Sequence, residues 1–154
     1  MKTFRLSNLS DTQKLAESFS SLLQVGDIVA LYGTLGVGKT AFTRFMVQYL
    51  CGKDEEVPSP TFTLLQTYEA ENFDIFHFDL YRLKKPEEVF ELGIEDAFYE
   101  GVSMIEWPEK MGNILPLDKI LKIEISVENE IHIFKFSSNN KKWKERLEKW
   151  NEQI

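Results

Sequence analysis

Cysteine occurs once in this chain, at Cys51, so no disulfide can close within it. Histidine occurs twice, at His77 and His132. With a single cysteine, these are too few for a zinc site or a Cys-His nucleophile, and each is expected to be structural. Long apolar runs are absent as well: nothing approaches the roughly 18 uninterrupted apolar residues that span a bilayer. The opening Met1-Lys2-Thr3-Phe4-Arg5-Leu6-Ser7 lacks the apolar segment of a signal peptide. A cytoplasmic protein with no membrane role is the expectation. Positive charge is in short supply, with Lys+Arg 18 against Asp+Glu 25 and a formal net charge of −7. Non-specific nucleic-acid binding rests on clustered cations, so any such role is expected to need a partner. Internal repeats and low-complexity tracts are missing too.

What is present is enough for one core. At 154 residues and 43% hydrophobic content, a single domain over residues 1–154 is predicted, with 139–154 as a C-terminal helical extension.

The informative stretch is Gly33-Thr34-Leu35-Gly36-Val37-Gly38-Lys39-Thr40, which fits G-x-x-x-x-G-K-[ST], the phosphate-binding P-loop. It lies between Ile28–Tyr32, an apolar run of strand length, and Thr40–Leu50, which can propagate as a helix. That context gives the pattern its meaning. Glycines let the backbone turn tightly against a polyphosphate, and N–H groups up to Ala41 at the helix start supply donors. Lys39 reaches the outer phosphates, and Thr40 offers its hydroxyl to magnesium.

Thr3–Leu6 reads as a strand, and Ser10-Asp11-Thr12-Gln13 as a capping box opening a helix with Leu15, Phe19, Leu22 and Leu23 inward and Gly26 as its left-handed stop. On the P-loop helix, Phe42, Phe45, Met46, Tyr49 and Leu50 mark the buried face. Two prolines in Val57-Pro58-Ser59-Pro60-Thr61-Phe62-Thr63 forbid helix and force a stiff loop carrying three hydroxyls. Thr63–Glu69 and Phe73–Asp79 read as a hairpin around Ala70-Glu71-Asn72. A short helix opens at Pro86, and Val102–Ile105 is a further strand. Leu117–Val127 and Ile131–Ser137 form a second hairpin around Glu128-Asn129-Glu130. The last helix, Asn140–Ile154, carries Trp143, Leu147, Trp150 and Ile154 on one face, expected to pack on the chain's own sheet. This order predicts an α/β fold, P-loop NTPase-like, with a mixed sheet flanked by helices and containing antiparallel hairpins.

Two acids stand where apolar strands give out: Asp79 in His77-Phe78-Asp79-Leu80-Tyr81-Arg82, and Glu106 in Glu106-Trp107-Pro108. Open α/β sheets bind ligands beyond the carboxyl ends of their strands. Both acids could converge on Thr40 and hold magnesium through oxygen ligands or bound waters.

Together with the P-loop, Ser59-Pro60-Thr61-Phe62-Thr63-Leu64, His77-Phe78-Asp79-Leu80-Tyr81-Arg82 and Glu106-Trp107-Pro108, in this order, resemble the TsaE (YjeE) family of bacterial ATPases over roughly Leu6 to Val127. The resemblance implies a part in the threonylcarbamoyladenosine modification of transfer RNA alongside the protein partners TsaD and TsaB, with tRNA reached indirectly through the complex and ATP and Mg2+ as cofactors. It implies Thr40 and Glu106 as metal ligands, Asp79 in a supporting or catalytic role, and the Ser59–Thr63 loop, with Thr61, as the nucleotide switch. Trp107 would border the nucleotide, and backbone near Thr12 and in the Glu128–Glu130 turn would flank adenine. Thr34 and Val37 stand where the family often carries an acidic residue and an alanine.

The leading reading is an ATPase subunit in which Lys39 neutralises charge and Asp79 orients water. A small-molecule kinase is weakened by the dispersal of the arginines, Arg5, Arg44, Arg82 and Arg146. A GTPase switch lacks an Asn-Lys-x-Asp motif, and a non-hydrolysing binding module is separated by multiple-turnover phosphate release.

Overall fold

The structure, a computed structural model, describes residues 1–151. Its centre is β2, Ile28–Tyr32, whose unbroken apolar run suits a strand covered on both faces. Parallel to it lie β5 (Gly101–Glu106) on one side and β6 (Leu121–Glu128) on the other, and β4 (Asp74–Asp79) extends the parallel set beyond β5. Antiparallel strands finish both edges: β3 (Leu65–Glu69) pairs with β4, while β7 (Ile131–Ser138) pairs with β6 and β1 (Lys2–Leu6) with β7. The seven-stranded order is β1-β7-β6-β2-β5-β4-β3. Both expected hairpins are present, and the sheet is mixed as predicted.

Side chains alternate across a strand, and here the alternation sorts the core into two layers. Val29, Leu31, Ile75, Val102, Met104, Ile123 and Phe134 face α1 (Leu9–Ser20) and α2 (Lys39–Cys51). Ile28, Ala30, Phe78 and Ile105 face α3 (Ile94–Glu100) and two short 3-10 turns, Pro86–Phe90 and Pro108–Ile114. By the same period, His77, Asp79 and Glu106 belong to the face covered by α1 and α2, and Asp79 and Glu106 are paired in register at the carboxyl ends of β4 and β5.

Several element boundaries differ from the sequence expectation. Asn8, not Ser10, caps α1, its side chain accepting from the Asp11 N–H at 2.8 Å, while Gln13 donates to Glu17 one turn on; asparagine caps as well as serine does, and Leu9 is already helical. Gly26 does take a left-handed φ of 94°, yet α1 ends at Ser20, and Gly26 shapes the turn into β2, with its N–H donating to the Gly101 carbonyl. Because α2 lies against α1 as well as the sheet, its buried face runs through Phe42, Thr43, Met46 and Val47; Tyr49 is exposed. The helix at Pro86 is a 3-10 turn, and α3 follows it unannounced. Leu117 sits in a turn, and β6 begins at Leu121.

The final helix, α4, spans Lys141–Lys149 with Asn140 as its cap. Trp143, Leu147 and Trp150 pack into the α1 layer, where Phe19, Phe136 and Trp150 lie within 6 Å of one another by ring centroid. Ile154, expected on that face, lies outside the described residues. Arg146 clamps the helix to the start of β2: its guanidinium donates twice to the Asp27 carboxylate, at 2.8 Å each, and once to the Leu22 carbonyl, while stacking on Trp143. Asp27 is 8% exposed, so deleting its partner strands a nearly buried carboxylate. Arg146→Ala is expected to destabilise the fold by about 2–3 kcal/mol, given the part-exposed arginine. Thermal denaturation should show a Tm roughly 5–10 °C lower; an unchanged Tm would mean that the clamp contributes nothing.

Candidate functional site: a P-loop at the carboxyl ends of the parallel strands

The P-loop leaves the end of β2 and turns into α2 through Gly38, which has φ 117° as the residue before the first helical turn. At that angle a side chain is strained. Gly33 is needed for a different reason: a Cβ there would stand 2.8 Å from the Ile125 carbonyl oxygen and 2.7 Å from Val37 Cγ1. The loop is thus pressed against β6 on one side. On the other it opens into a cleft of about 270 Å3.

Most of the expected residues meet in that cleft: Leu35, Gly36, Gly38, Lys39, Thr40, Ala41, Thr61, Asp79, Glu106 and Trp107 all line it. Three do not. Val37 is turned into the core, Gly33 presents its carbonyl to Lys39, and Thr12 is buried along α1. A larger apolar cleft of about 640 Å3, lined by Ile28, Phe90, Ile94 and Phe98, lies at the opposite end of β2 and contains none of these groups.

Thr40 is the second residue of α2, and its hydroxyl reaches both oxygens of Glu106 at 2.9 and 3.0 Å. Glu106 is buried, and from below it meets His77 Nε2 at 2.5 Å. Asp79, one strand over, accepts from the Thr61 hydroxyl at 2.8 Å and from the Tyr81 N–H at 3.0 Å. Thr61 in turn meets Ser59 at 2.7 Å, so the proline-stiffened loop is pinned across the cleft by its hydroxyls. Thr63 points away to Gln66.

Lys39 folds back on its own loop. Its ammonium donates to the Gly33 carbonyl at 2.6 Å and lies 3.6 Å from the centre of the Trp107 ring. Burial pushes this ammonium below its ordinary pKa range; the negative charges of Glu106, Glu109 and Asp79 oppose the shift without cancelling it. A polyphosphate entering the cleft would offer the lysine a better counter-charge than these groups do. Trp107 reaches this position because it adopts a left-handed φ of 58° directly before Pro108, reversing the chain after Glu106. A bulky side chain in that region carries about 1–3 kcal/mol of strain, a cost that often accompanies a functional site.

The donor set suits a hard cation. Magnesium binds through one or two carboxylates together with phosphate oxygens and water, and the Thr40 hydroxyl and Glu106 carboxylate are oxygen donors already in contact at the cleft. No group of three or more His, Cys, Asp or Glu side chains that could by itself hold a metal ion occurs among the described residues, and magnesium at a phosphate site does not require one.

Two contributions were not read from the sequence. Arg44, one turn along α2, lines the cleft, with its Nε donating to the Val57 carbonyl at 3.3 Å. His77 stands beneath Glu106, and the alternation Ile75, His77, Asp79 was the available signal that it shares the acids' face.

Comparison with known proteins identifies the family. Residues 6–133 match the family model described as "Threonylcarbamoyl adenosine biosynthesis protein TsaE". The chain belongs to the TsaE family. Among curated TsaE proteins, that of Aquifex aeolicus is 37% identical over 131 residues, covering 84% of this chain and 92% of the relative. That of Rickettsia felis is 46% identical over 127 residues, 81% and 74% respectively. The Rickettsia conorii protein is 49% identical over 71% of this chain, and the match spans 63% of that relative. A crystal structure of Bacillus subtilis YdiB superposes with a TM-score of 0.78 at 25% identity, covering 97% of this chain and 93% of the other. The TsaE match includes the P-loop, both strand-end acids and the Pro-rich loop, and stops short of α4, whose Arg146 clamp is a feature of this chain outside the matched residues.

Trp107 offers a direct readout of the cleft. A phosphate-bearing ligand that draws Lys39 from the Trp107 ring should alter tryptophan emission. Trp107→Phe should abolish the change, and Trp143→Phe, in the α4 core, should retain it. A ligand-induced change that survives Trp107→Phe would place the perturbation elsewhere.

Proposed function

We propose that this chain binds and hydrolyses ATP with Mg2+ and, acting in the cytoplasm with TsaD and TsaB, serves the threonylcarbamoyladenosine modification of tRNA. One observation carries the reading: the Thr40 hydroxyl rests on the Glu106 carboxylate at the mouth of a P-loop whose lysine faces the same cleft. Family membership supplies the pathway. Thr40 and Glu106 would hold the magnesium, which when bound neutralises phosphate charge.

The protein's own groups do the rest. The start of α2 points its free N–H groups into the cleft, where anions are favoured. Lys39, released from Gly33 and Trp107, neutralises the outer phosphates. Asp79 is held by the Thr61 hydroxyl and the Tyr81 N–H, which leaves the carboxylate fixed at the cleft wall to orient an attacking water. Phosphoryl transfer asks for this kind of positioning and charge balance more than for covalent help. The loop from Ser59 to Thr63 joins Asp79 through Thr61, and so senses what occupies the cleft.

An arginine at the terminal phosphate is worth about 10³ to 10⁵ in rate where it is used. Arg82 lies over the Phe62 ring at 4.2 Å, and Arg44, at the cleft wall, has its Nε on the Val57 carbonyl, so neither is held at the place of a terminal phosphate by these contacts. Slow turnover by the chain alone follows, with acceleration by TsaD and TsaB through the Phe62 and Arg82 region. The net charge of −7 fits a subunit that leaves RNA to its partners.

Steady-state phosphate release should be slow for the isolated protein, rise on addition of TsaD and TsaB, and fall about 10²-fold or more in Lys39→Ala with the fold intact by circular dichroism. Undiminished hydrolysis in Lys39→Ala would remove the P-loop from the mechanism, and a fast basal rate that partners leave unchanged would mean that this chain completes its own active site.

A further inference from the structure

His77 lies on β4, a strand paired on both sides, has no exposure, and occupies a position that the alternation of β4 assigns to the core between Ile75 and Asp79. An apolar side chain would fill that space without bringing two ring nitrogens out of water. Its single side-chain hydrogen bond among the described residues is to Glu106 Oε2, at 2.5 Å, and its Nδ1 is buried without a partner.

That orphan atom fixes the tautomer. A carboxylate has only lone pairs to offer, so the proton of a neutral imidazole must sit on Nε2. Nδ1 is then a buried bare lone pair without a partner, which costs less than an orphaned N–H there. The ring is a dedicated donor with one recipient.

The recipient cannot be held by Thr40 alone. A threonine hydroxyl has one hydrogen, and it lies almost equally near both oxygens of Glu106, at 2.9 and 3.0 Å, leaving the carboxylate free to rock. Adding His77 on Oε2 removes that freedom and gives Oε2 a donor of its own, while Oε1 has only its share of the Thr40 hydroxyl. Oε1 keeps the greater lone-pair capacity.

We infer that His77 is a positioning residue: it orients the buried Glu106 carboxylate so that Oε1, beside the Thr40 hydroxyl, is the oxygen presented to the divalent cation. This rests on the magnesium-nucleotide reading of the cleft. Partners that orient a metal ligand in this way are typically worth 10- to 100-fold in metal affinity.

The test measures ATP affinity in saturating Mg2+ and again in EDTA, for the wild type, His77→Leu and His77→Gln. The glutamine amide nitrogen falls near the place of Nε2 and restores a donor. The ratio of the two affinities reports the magnesium contribution without requiring hydrolysis. The wild type should gain affinity from Mg2+, His77→Leu should lose at least 10-fold of that gain with its EDTA affinity within about twofold of wild type, and His77→Gln should recover most of it. A full magnesium gain in His77→Leu, or equal losses in the Leu and Gln variants, would overturn the assignment while leaving the magnesium reading intact. A loss in EDTA as large as that in Mg2+ would also overturn it, since general damage to the cleft would then explain the effect. If His77→Leu does not fold, His77→Asn replaces it, its shorter amide ending near Nδ1 and out of reach of Glu106; an Asn variant as magnesium-responsive as the Gln variant would refute the role. Absence of any magnesium gain in the wild type would instead refute the metal site itself, and this inference with it.

Discussion

A single buried carboxylate ties the site to the sheet. Glu106 ends β5, accepts from the first turn of α2 through Thr40, and accepts from β4 through His77. A carboxylate removed from water needs such donors, because an unpaired one would cost several kcal/mol. Meeting that need fixes the start of α2 against β5, and with it the P-loop that precedes α2. The groups that satisfy Glu106 in the folded chain are the same groups that place it beside the phosphate-binding loop, so stability and function share one set of contacts.

Around this point the molecule is unevenly rigid. On one side, Phe19, Phe42, Phe136, Trp143 and Trp150 form a dense aromatic layer that Arg146 locks to Asp27. On the other, the Ser59–Thr63 loop is held by a few hydroxyls, and Phe62 stands 80% exposed. Segments with few buried apolar contacts open at low free-energy cost. The strained Trp107, the inward-folded Lys39 and the pinned Thr61 all lie on the side that has such a segment, and each would have to adjust when a polyphosphate enters. A firm back and a responsive front are what the proposed nucleotide-dependent role would require.

The sequence made much of this legible, and for identifiable reasons. The P-loop is a local pattern whose chemistry depends on spacing alone, and apolar strands that stop at Asp79 and Glu106 announce acids at the sheet's carboxyl edge. What escaped depended on neighbours distant in sequence. His77 looks like any core histidine until β5 brings Glu106 beneath α2. Trp107 is expected at the cleft from the family resemblance, but the placing of its ring beside Lys39 depends on a left-handed backbone that the sequence does not show. The buried arc of α2 was set by α1 as well as by the sheet, which is why Val47 is inside and Tyr49 outside. At α1, two adequate caps compete within three residues, and Asn8 wins over Ser10 by helix geometry that spacing does not reveal.

The central claim is that Thr40 and Glu106 hold a divalent cation against a nucleotide in the P-loop. Its most direct test is anomalous diffraction from crystals grown with Mn2+ in place of Mg2+ and a non-hydrolysable ATP analogue. The account predicts one manganese peak bridging phosphate oxygens, bonded to the Thr40 hydroxyl oxygen and to a Glu106 carboxylate oxygen either directly, at roughly 2.0–2.2 Å, or through one bound water. A peak away from both residues, or nucleotide density outside the P-loop with Lys39 still on Gly33, would contradict it.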